Sequence, residues 1–277
     1  MDRATVKPRS RSLAAVTSVL AFGLSIVLLS LLMSLAVLPW LDLSWWKIFR
    51  RCVSIAAVLS LWIFIRKMQR RSFSSYGLIA PREGKRDLIF GVLLGAGALG
   101  VMLVVGLASG ACRINVIPDS ARLWRTVVTF VPAAFLVGVL EELVFRGFIL
   151  QQLLSYSPRL GLIGSSGLYA AVHLKNLAAT PAMWLELGGL FLLGILLAYT
   201  YLSTRNLWLA IGLHAALAYG ARINKLVLAF PDPFSWLTGT SRLVNGLAGW
   251  IALLGIGGVV WWWTGRSQRG GAQHGKP

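Results

Sequence analysis

The chain has 277 residues, of which 57% are hydrophobic and only 13% are charged. A soluble globular domain carries about 25% charged residues, so this composition excludes an ordinary soluble protein. The formal net charge of +18 would suggest nucleic-acid binding in a soluble protein. Here the basic residues lie mainly at the ends of apolar segments and in short loops, as the positive-inside rule and anionic headgroups require. We therefore expect membrane lipids, and no nucleic acid, as partners.

Long apolar segments without strand-like alternation predict membrane-spanning helices. About 20 apolar residues cross the hydrocarbon core as a helix, which satisfies its own backbone polar groups. We predict an all-α fold, a polytopic membrane bundle of about eight transmembrane helices. The predicted spans are residues 13–39, 48–65, 88–109, 126–153, 160–174, 182–203, 206–220 and 246–264.

The sequence predicts one membrane domain between two polar tails. The N-terminal tail is residues 1–12, the transmembrane domain 13–264 and the C-terminal tail 265–277. The polar loop Arg66–Arg86 follows the second span and contains seven Lys or Arg residues and one Glu. The positive-inside rule predicts that this loop is cytoplasmic, and so are both tails, because an even number of spans separates them from it. We expect a multi-pass protein of the cell membrane.

The segment Leu136–Leu153, LVGVLEELVFRGFILQQL, places three charged residues in one predicted span. A charge at mid-bilayer costs about 2.5–3.5 kcal/mol on insertion scales, so these side chains must face the bundle interior or a water-filled cavity. Glu142 and Arg146 are four residues apart, in the favoured order for a helical ion pair. Glu141 is rotated by about 100° from Glu142. We therefore expect a paired, structural Glu142 and an unpaired Glu141 that can take a proton from water.

Two of the three histidines also lie in membrane-depth sequence. His173 ends the fifth predicted span, and His214 lies within the seventh. Either histidine alone fits a hydrogen-bonded core residue. Together with the charged residues of the fourth span they predict a functional site, since ionisable residues within spans are rare and costly. Such groups can activate water directly or hold a divalent metal such as zinc, in which case Glu141, His173 and His214 are the ligands.

The ionisable residues form an ordered pattern of EExxxR at 141–146, YxxxH at 169–173 and His214 on a later helix. Over about residues 126–220 this pattern resembles the CPBP family, which comprises the type II CAAX prenyl endopeptidases and the bacteriocin-processing proteins, also called the Abi group. The resemblance implies an eight-helix intramembrane endopeptidase. It also implies a peptide or protein substrate, which can be lipidated, cut near the membrane surface.

The resemblance further implies a role for each matching residue. Glu141 and His173 activate the attacking water, and His214 lies near the developing oxyanion. The Glu142–Arg146 pair braces the site. Some descriptions call the family metalloproteases and others call it glutamate-dependent, so the resemblance leaves the metal open.

Ala218 stands where the family usually has asparagine, four residues after the last histidine. An amide there would donate to the oxyanion, and the loss of one such donor costs about 10²–10³ in rate. Asn224 lies about 80° from the face of His214 and does not replace it, whereas the neighbouring Tyr219 is a candidate donor. Ala218 therefore keeps open a second hypothesis, a catalytically impaired relative that binds a peptide as an immunity or scaffold protein.

The intramembrane charges also suit a proton-coupled transporter, since acids, arginine and histidine within spans are the parts of a proton relay. However, the chain lacks the paired inverted repeats and matching broken helices of many transporters. Glu186, near the start of the sixth span, fits either the same cavity as the other ionisable residues or the aqueous interface. Pro181 and Trp184 mark a span end and favour the interface.

Overall fold

A computed structural model describes residues 8–173, 180–231, 235–239 and 246–273. The predicted tails at 1–12 and 265–277 therefore lie partly outside the described residues. The α-helices are α1 Pro8–Val37, α2 Trp45–Trp62, α3 Pro81–Ala108, α4 Ser120–Glu142, α5 Leu150–Leu154, α6 Pro158–His173, α7 Pro181–Thr204, α8 Trp208–Val227, α9 Ser235–Thr238 and α10 Leu247–Gln273.

Short irregular elements connect these helices. Two π-helical segments continue α2 through Ile63–Met68 and join α4 to α5 through Leu143–Ile149, and 3₁₀ turns cover Leu38–Trp40 and Phe73–Tyr76. The two-residue strands β1 (Arg113–Ile114) and β2 (Leu228–Ala229) pair antiparallel. This pairing ties the segment before α4 to the end of α8.

The helices confirm the predicted all-α polytopic bundle. Within the described residues, six helical segments are long and apolar enough to cross a membrane. The other two predicted spans, 160–174 and 206–220, are also helical as far as they are described. However, α6 has only 16 residues, and the 20 residues of α8 include Arg222 and Lys225. The six segments are Leu13–Trp40, Trp45–Met68, Phe73–Ala108, Ser120–Leu154, Pro181–Thr204 and Leu247–Gly265.

Helix α8 lies at the centre of the bundle, where α3, α4 and α7 pack against it. Glycines bring α3 and α8 close together. A Cβ added at Gly91 would clash with the Leu209 carbonyl oxygen, and one at Gly212 would clash with the Leu88 carbonyl oxygen. Small residues allow such backbone approach in membrane helices. This contact sets the depth and rotation of α8, which carries His214.

We expect Gly91→Ala to destabilise the protein by about 1–3 kcal/mol, because the added methyl group would force α3 away from the α8 backbone. The measurement is thermal unfolding of purified protein in detergent. Gly97→Ala is the matched control, since nothing lies within 4 Å of a Cβ added at Gly97. Equal midpoints for the two variants would contradict the close α3–α8 contact.

Candidate active site

The fold brings the five predicted ionisable residues together. Glu141 and Glu142 end α4, and Arg146 lies in the π-helical segment that follows. His173 is the last residue of α6, and His214 lies in the middle of α8. Three separate helices therefore contribute to one cluster. π-Helical turns inside α-helices are frequent at functional sites.

The two adjacent acids face different surroundings. The Glu141 side chain is 29% exposed, whereas that of Glu142 is fully buried at 0%. Neighbouring residues on a helix point about 100° apart, so one acid faces a cavity while the other faces the interior. The sequence prediction of two different roles agrees with this separation.

The buried carboxylate of Glu142 contacts two basic side chains, Arg146 and His214. Arg146 donates from Nη1 to Glu142 Oε1 over 2.8 Å, as predicted from their spacing. The second guanidinium nitrogen donates to the Gly194 carbonyl oxygen of α7 over 3.2 Å. The guanidinium also lies 4.5 Å from the centre of the Tyr169 ring. These contacts compensate charges that would be very costly if buried alone.

His214 connects Glu142 to Glu141. Its Nδ1 lies 2.7 Å from Glu142 Oε1. An ionised carboxylate only accepts hydrogen bonds, so Nδ1 carries the proton and donates it to Glu142. In the neutral ring, Nε2 is then an acceptor, and it lies 3.6 Å from Glu141 Oε2. Glu142 thus determines which nitrogen of His214 faces Glu141.

His173 is oriented by its own helix. The Nδ1 of His173 donates to the Tyr169 carbonyl oxygen, one turn earlier, over 2.8 Å. The tyrosine ring also packs against the imidazole, with ring centres 4.3 Å apart. The remaining nitrogen, Nε2, lies 3.0 Å from Glu141 Oε2. Backbone and ring contacts therefore fix both the tautomer and the direction of His173.

Both imidazoles lie beside Glu141, which the sequence left without a partner. Among the described residues no aligned donor reaches its Oε2. With Nδ1 protonated on each neutral ring, both neighbouring Nε2 atoms are acceptors. Two acceptors 3.0 Å apart repel unless a proton lies between them. The Glu141–His173 pair is therefore an arrangement that can take up one proton.

This acceptor cluster lies in a cavity of about 360 Å³. Apolar side chains from several helices form most of its walls, and Ala218 and Ala221 on α8 leave room beside His214. Two cations of α8 also line the cavity. Its lining residues are Phe130, Val137, Glu141, Tyr169, His173, Gly189, Leu190, Leu193, His214, Leu217, Ala218, Ala221, Arg222, Lys225 and Leu253.

Residues 123–219 match the family model described as type II CAAX prenyl endopeptidase Rce1-like. This part of the chain, the Rce1-like segment, is similar to that family. The match confirms the CPBP resemblance drawn from the motifs, and its limits agree with the predicted core of 126–220. Comparisons with curated proteins and with solved structures gave no significant match.

The Rce1-like segment contains every residue of the predicted cluster and also Ala218. The structure places Ala218 on the cavity wall, so an asparagine there would reach the same space. Tyr219 does not substitute for it, because its hydroxyl donates to the Val127 carbonyl oxygen over 3.1 Å. Within the described residues, no amide side chain lines the cavity.

Glu141, His173 and His214 have the chemistry of metal ligands, since carboxylate and imidazole groups are common zinc donors. Within the described residues, however, no group of three His, Cys, Asp or Glu side chains has a suitable arrangement for a metal ion. The donor types alone therefore fit a divalent metal.

Three further charged residues, Glu186, Arg222 and Lys225, differ in whether they line the cavity. Glu186 is not among the residues that line the cavity, so a place in the cavity for this acid is not supported. Arg222 and Lys225 do line it, and sequence reasoning missed them. For Lys225 the spacing along α8 was an available signal, because His214, Ala218 and Lys225 lie within about 40° on a helical wheel, whereas Arg222 lies about 80° from His214.

Proposed function

We propose that this protein is an intramembrane endopeptidase that hydrolyses a peptide bond with a water molecule activated by Glu141 and His173. The observation that carries the proposal is the convergence of three acceptor atoms on one cavity. These are Glu141 Oε2 and the Nε2 atoms of His173 and His214. The location of this cluster within the Rce1-like segment supports a peptidase over other water-activating enzymes.

In the proposed reaction, a water held at Glu141 Oε2 loses a proton to the Glu141–His173 pair as its oxygen attacks the scissile carbonyl carbon. A tetrahedral intermediate forms, with negative charge on the former carbonyl oxygen. Protonation of the nitrogen of the leaving amine by the same pair then allows the C–N bond to break. General acid–base catalysis of this kind contributes about 10²–10⁴ in rate.

His214 is the candidate to stabilise the oxyanion. It can do so when Nε2 also carries a proton, which makes the ring a cation held against Glu142 through Nδ1. The carboxylate of Glu142 then lies between two cations, Arg146 and His214. The fully buried Glu142, next to Glu141, therefore has a function in this proposal, because it supports a charged donor at the oxyanion.

The first experiment is an endopeptidase assay on detergent-solubilised protein, with products identified by mass spectrometry. The substrate pool contains unmodified and prenylated peptides, because the cluster does not reveal whether the substrate is lipidated. Glu141→Gln is the control, and a chelator arm tests for a divalent metal such as zinc. Cleavage that is absent from the control supports the proposal. A folded wild type that binds peptides and cuts none would overturn it.

Ala218 favours a second candidate function, a catalytically impaired protein that binds a peptide as an immunity or scaffold protein. It removes the donor that the family usually has, and no described amide replaces it in the cavity. In the assay, this candidate predicts peptide binding without products. Its site would otherwise be complete, so activity should be recoverable.

Under the endopeptidase proposal we expect Ala218→Asn to raise kcat by about 10–10²-fold, since the new amide would stabilise the oxyanion. Single-turnover cleavage of the best peptide in the pool is the measurement. Ala221→Asn is the matched control, because Ala221 lines the same cavity almost a turn further from His214. A gain of the same size in both variants would argue against a specific oxyanion donor.

We further propose that the protein lies in the cell membrane with both termini in the cytoplasm. The six apolar helices support a multi-pass membrane protein, and the basic loop at 66–86 supports this orientation. A reporter fused to the C terminus tests it. If a C-terminal reporter that works only in the periplasm or outside the cell is active, the proposed orientation is contradicted.

A further inference from the structure

Two cations line the cavity at some distance from the acceptor cluster. Arg222 and Lys225 lie eight and eleven residues after His214 on the same helix, which corresponds to about 12 and 16 Å along its axis. Within the described part of the chain, neither side chain forms an ion pair with a carboxylate. Both are exposed and line the cavity. Two cations without a carboxylate partner among the described residues, in a cavity with mostly apolar walls, favour an anionic ligand.

The surroundings of Arg222 and Lys225 direct them toward the cavity. Helical side chains lean toward the N-terminus of their own helix, which here is the direction of His214. The Arg222 guanidinium lies 5.9 Å from the centre of the Phe130 ring, another lining residue. Ala218 and Ala221 lie between His214 and the two cations on α8 and contribute only small side chains to the cavity wall.

We infer that Arg222 and Lys225 form a carboxylate-binding subsite that selects the peptide held in this cavity. An extended peptide advances about 3.3–3.6 Å per residue, so 12–16 Å places the carboxylate about three to five residues from the scissile bond. The carboxylate can be the peptide's C terminus or an acidic side chain. The distance to the scissile bond rests on the proposed function, whereas binding of the carboxylate does not.

A structural role for the same cations predicts different behaviour. Lys225 lies in the last turn of α8, where a cation interacts favourably with the helix dipole. That role would appear as lost thermal stability in Lys225→Gln, with no dependence on the peptide. The subsite instead predicts a change in peptide affinity that depends on the peptide's charge.

Peptide binding to the full-length Glu141→Gln protein in nanodiscs of neutral lipid tests the subsite without catalysis. In the first arm, the probes are fluorescent peptides with a free C terminus and the same peptides with an amidated C terminus. In the second arm, all peptides are amidated and carry either Glu or Gln at one of the third to fifth positions on either side of the central bond. The free C terminus or the Glu side chain should bind about 10–100-fold more tightly than its neutral counterpart, since hydrogen bonds to charged groups are strong. Comparison of these two arms identifies the source of the carboxylate.

A double variant that combines Arg222→Gln with Lys225→Gln should abolish the preference for peptides with a carboxylate. It should leave the affinity for neutral peptides unchanged. Arg125→Gln is the matched control, because Arg125 is an exposed cation near the start of α4 that does not line the cavity. Equal affinities of the parent protein for charged and neutral peptides would overturn the subsite. So would an equal loss of preference in the Arg125 variant.

The outcome separates the two proposals. Charge-dependent binding without cleavage by the wild type keeps the subsite and rejects the endopeptidase. Cleavage with no preference for a carboxylate keeps the endopeptidase and rejects the subsite. If both hold, the double variant should raise KM for the carboxylate peptide by about 10–100-fold with little change in kcat.

Discussion

Glu141→Gln should lower the rate of peptide cleavage by about 10²–10⁴-fold, the range expected for the loss of a general acid–base group. Glutamine has nearly the same shape as glutamate but cannot accept the proton that the Glu141–His173 pair takes from water. The effect should fall on kcat, because the variant leaves the apolar walls of the cavity intact. Single-turnover kinetics with the peptide found in the pool measure it.

The fold should tolerate this change. The Glu141 side chain is 29% exposed, and its replacement leaves no buried charge without a partner. Glu186→Gln provides the matched control, since Glu186 is a carboxylate of α7 that does not line the cavity. A Glu141→Gln protein that unfolds at the wild-type temperature and still cleaves at the wild-type rate would exclude Glu141 as the base.

Arg146→Met should be the most destabilising single substitution in the site, with a loss of about 3–5 kcal/mol in the free energy of unfolding. The change removes the guanidinium that donates to the fully buried Glu142 and to the Gly194 carbonyl oxygen. It also removes the cation over the Tyr169 ring. The buried Glu142 carboxylate then loses its cationic partner and keeps only the hydrogen bond from His214 Nδ1. Thermal unfolding of the purified protein in detergent gives the measurement.

A double variant identifies the cause of that loss. Glu142→Gln added to Arg146→Met removes the orphaned charge, so it should recover much of the stability even though one more native contact is lost. Arg125→Met is the control for loss of an exposed arginine and should change stability by no more than about 0.5 kcal/mol. If the double variant is less stable than Arg146→Met alone, the buried charge is not the main cause.

Local geometry explains which site contacts were predictable from the sequence. The Glu142–Arg146 pair joins residues four apart on one helix, and its 2.8 Å contact was expected from the spacing. The Tyr169–His173 contact also lies within one turn. The difference between Glu141 and Glu142 follows from their rotation about the helix axis. The motifs formed by these residues predicted the Rce1-like segment that the family match confirms.

Contacts between helices were not predictable in the same way. The sequence left Glu141 without a partner, whereas the structure places His173 and His214 beside it. Tyr219 was a candidate donor by its position, but it lies about 140° from His214 on a helical wheel and its hydroxyl reaches α4 instead.

The sequence by itself therefore determined the membrane class, the helices, the five ionisable residues that the fold brings together and the pairs within one turn. Helical periodicity and the cost of intramembrane charge are local properties that depend on residue type and spacing. Only the tertiary structure decided which nitrogen of each histidine faces Glu141, and that Arg222 and Lys225 share its cavity. Those relations depend on the rotation and axial offset between helices. Close contacts such as that of Gly91 with Leu209 set these two quantities, and no single helix encodes them.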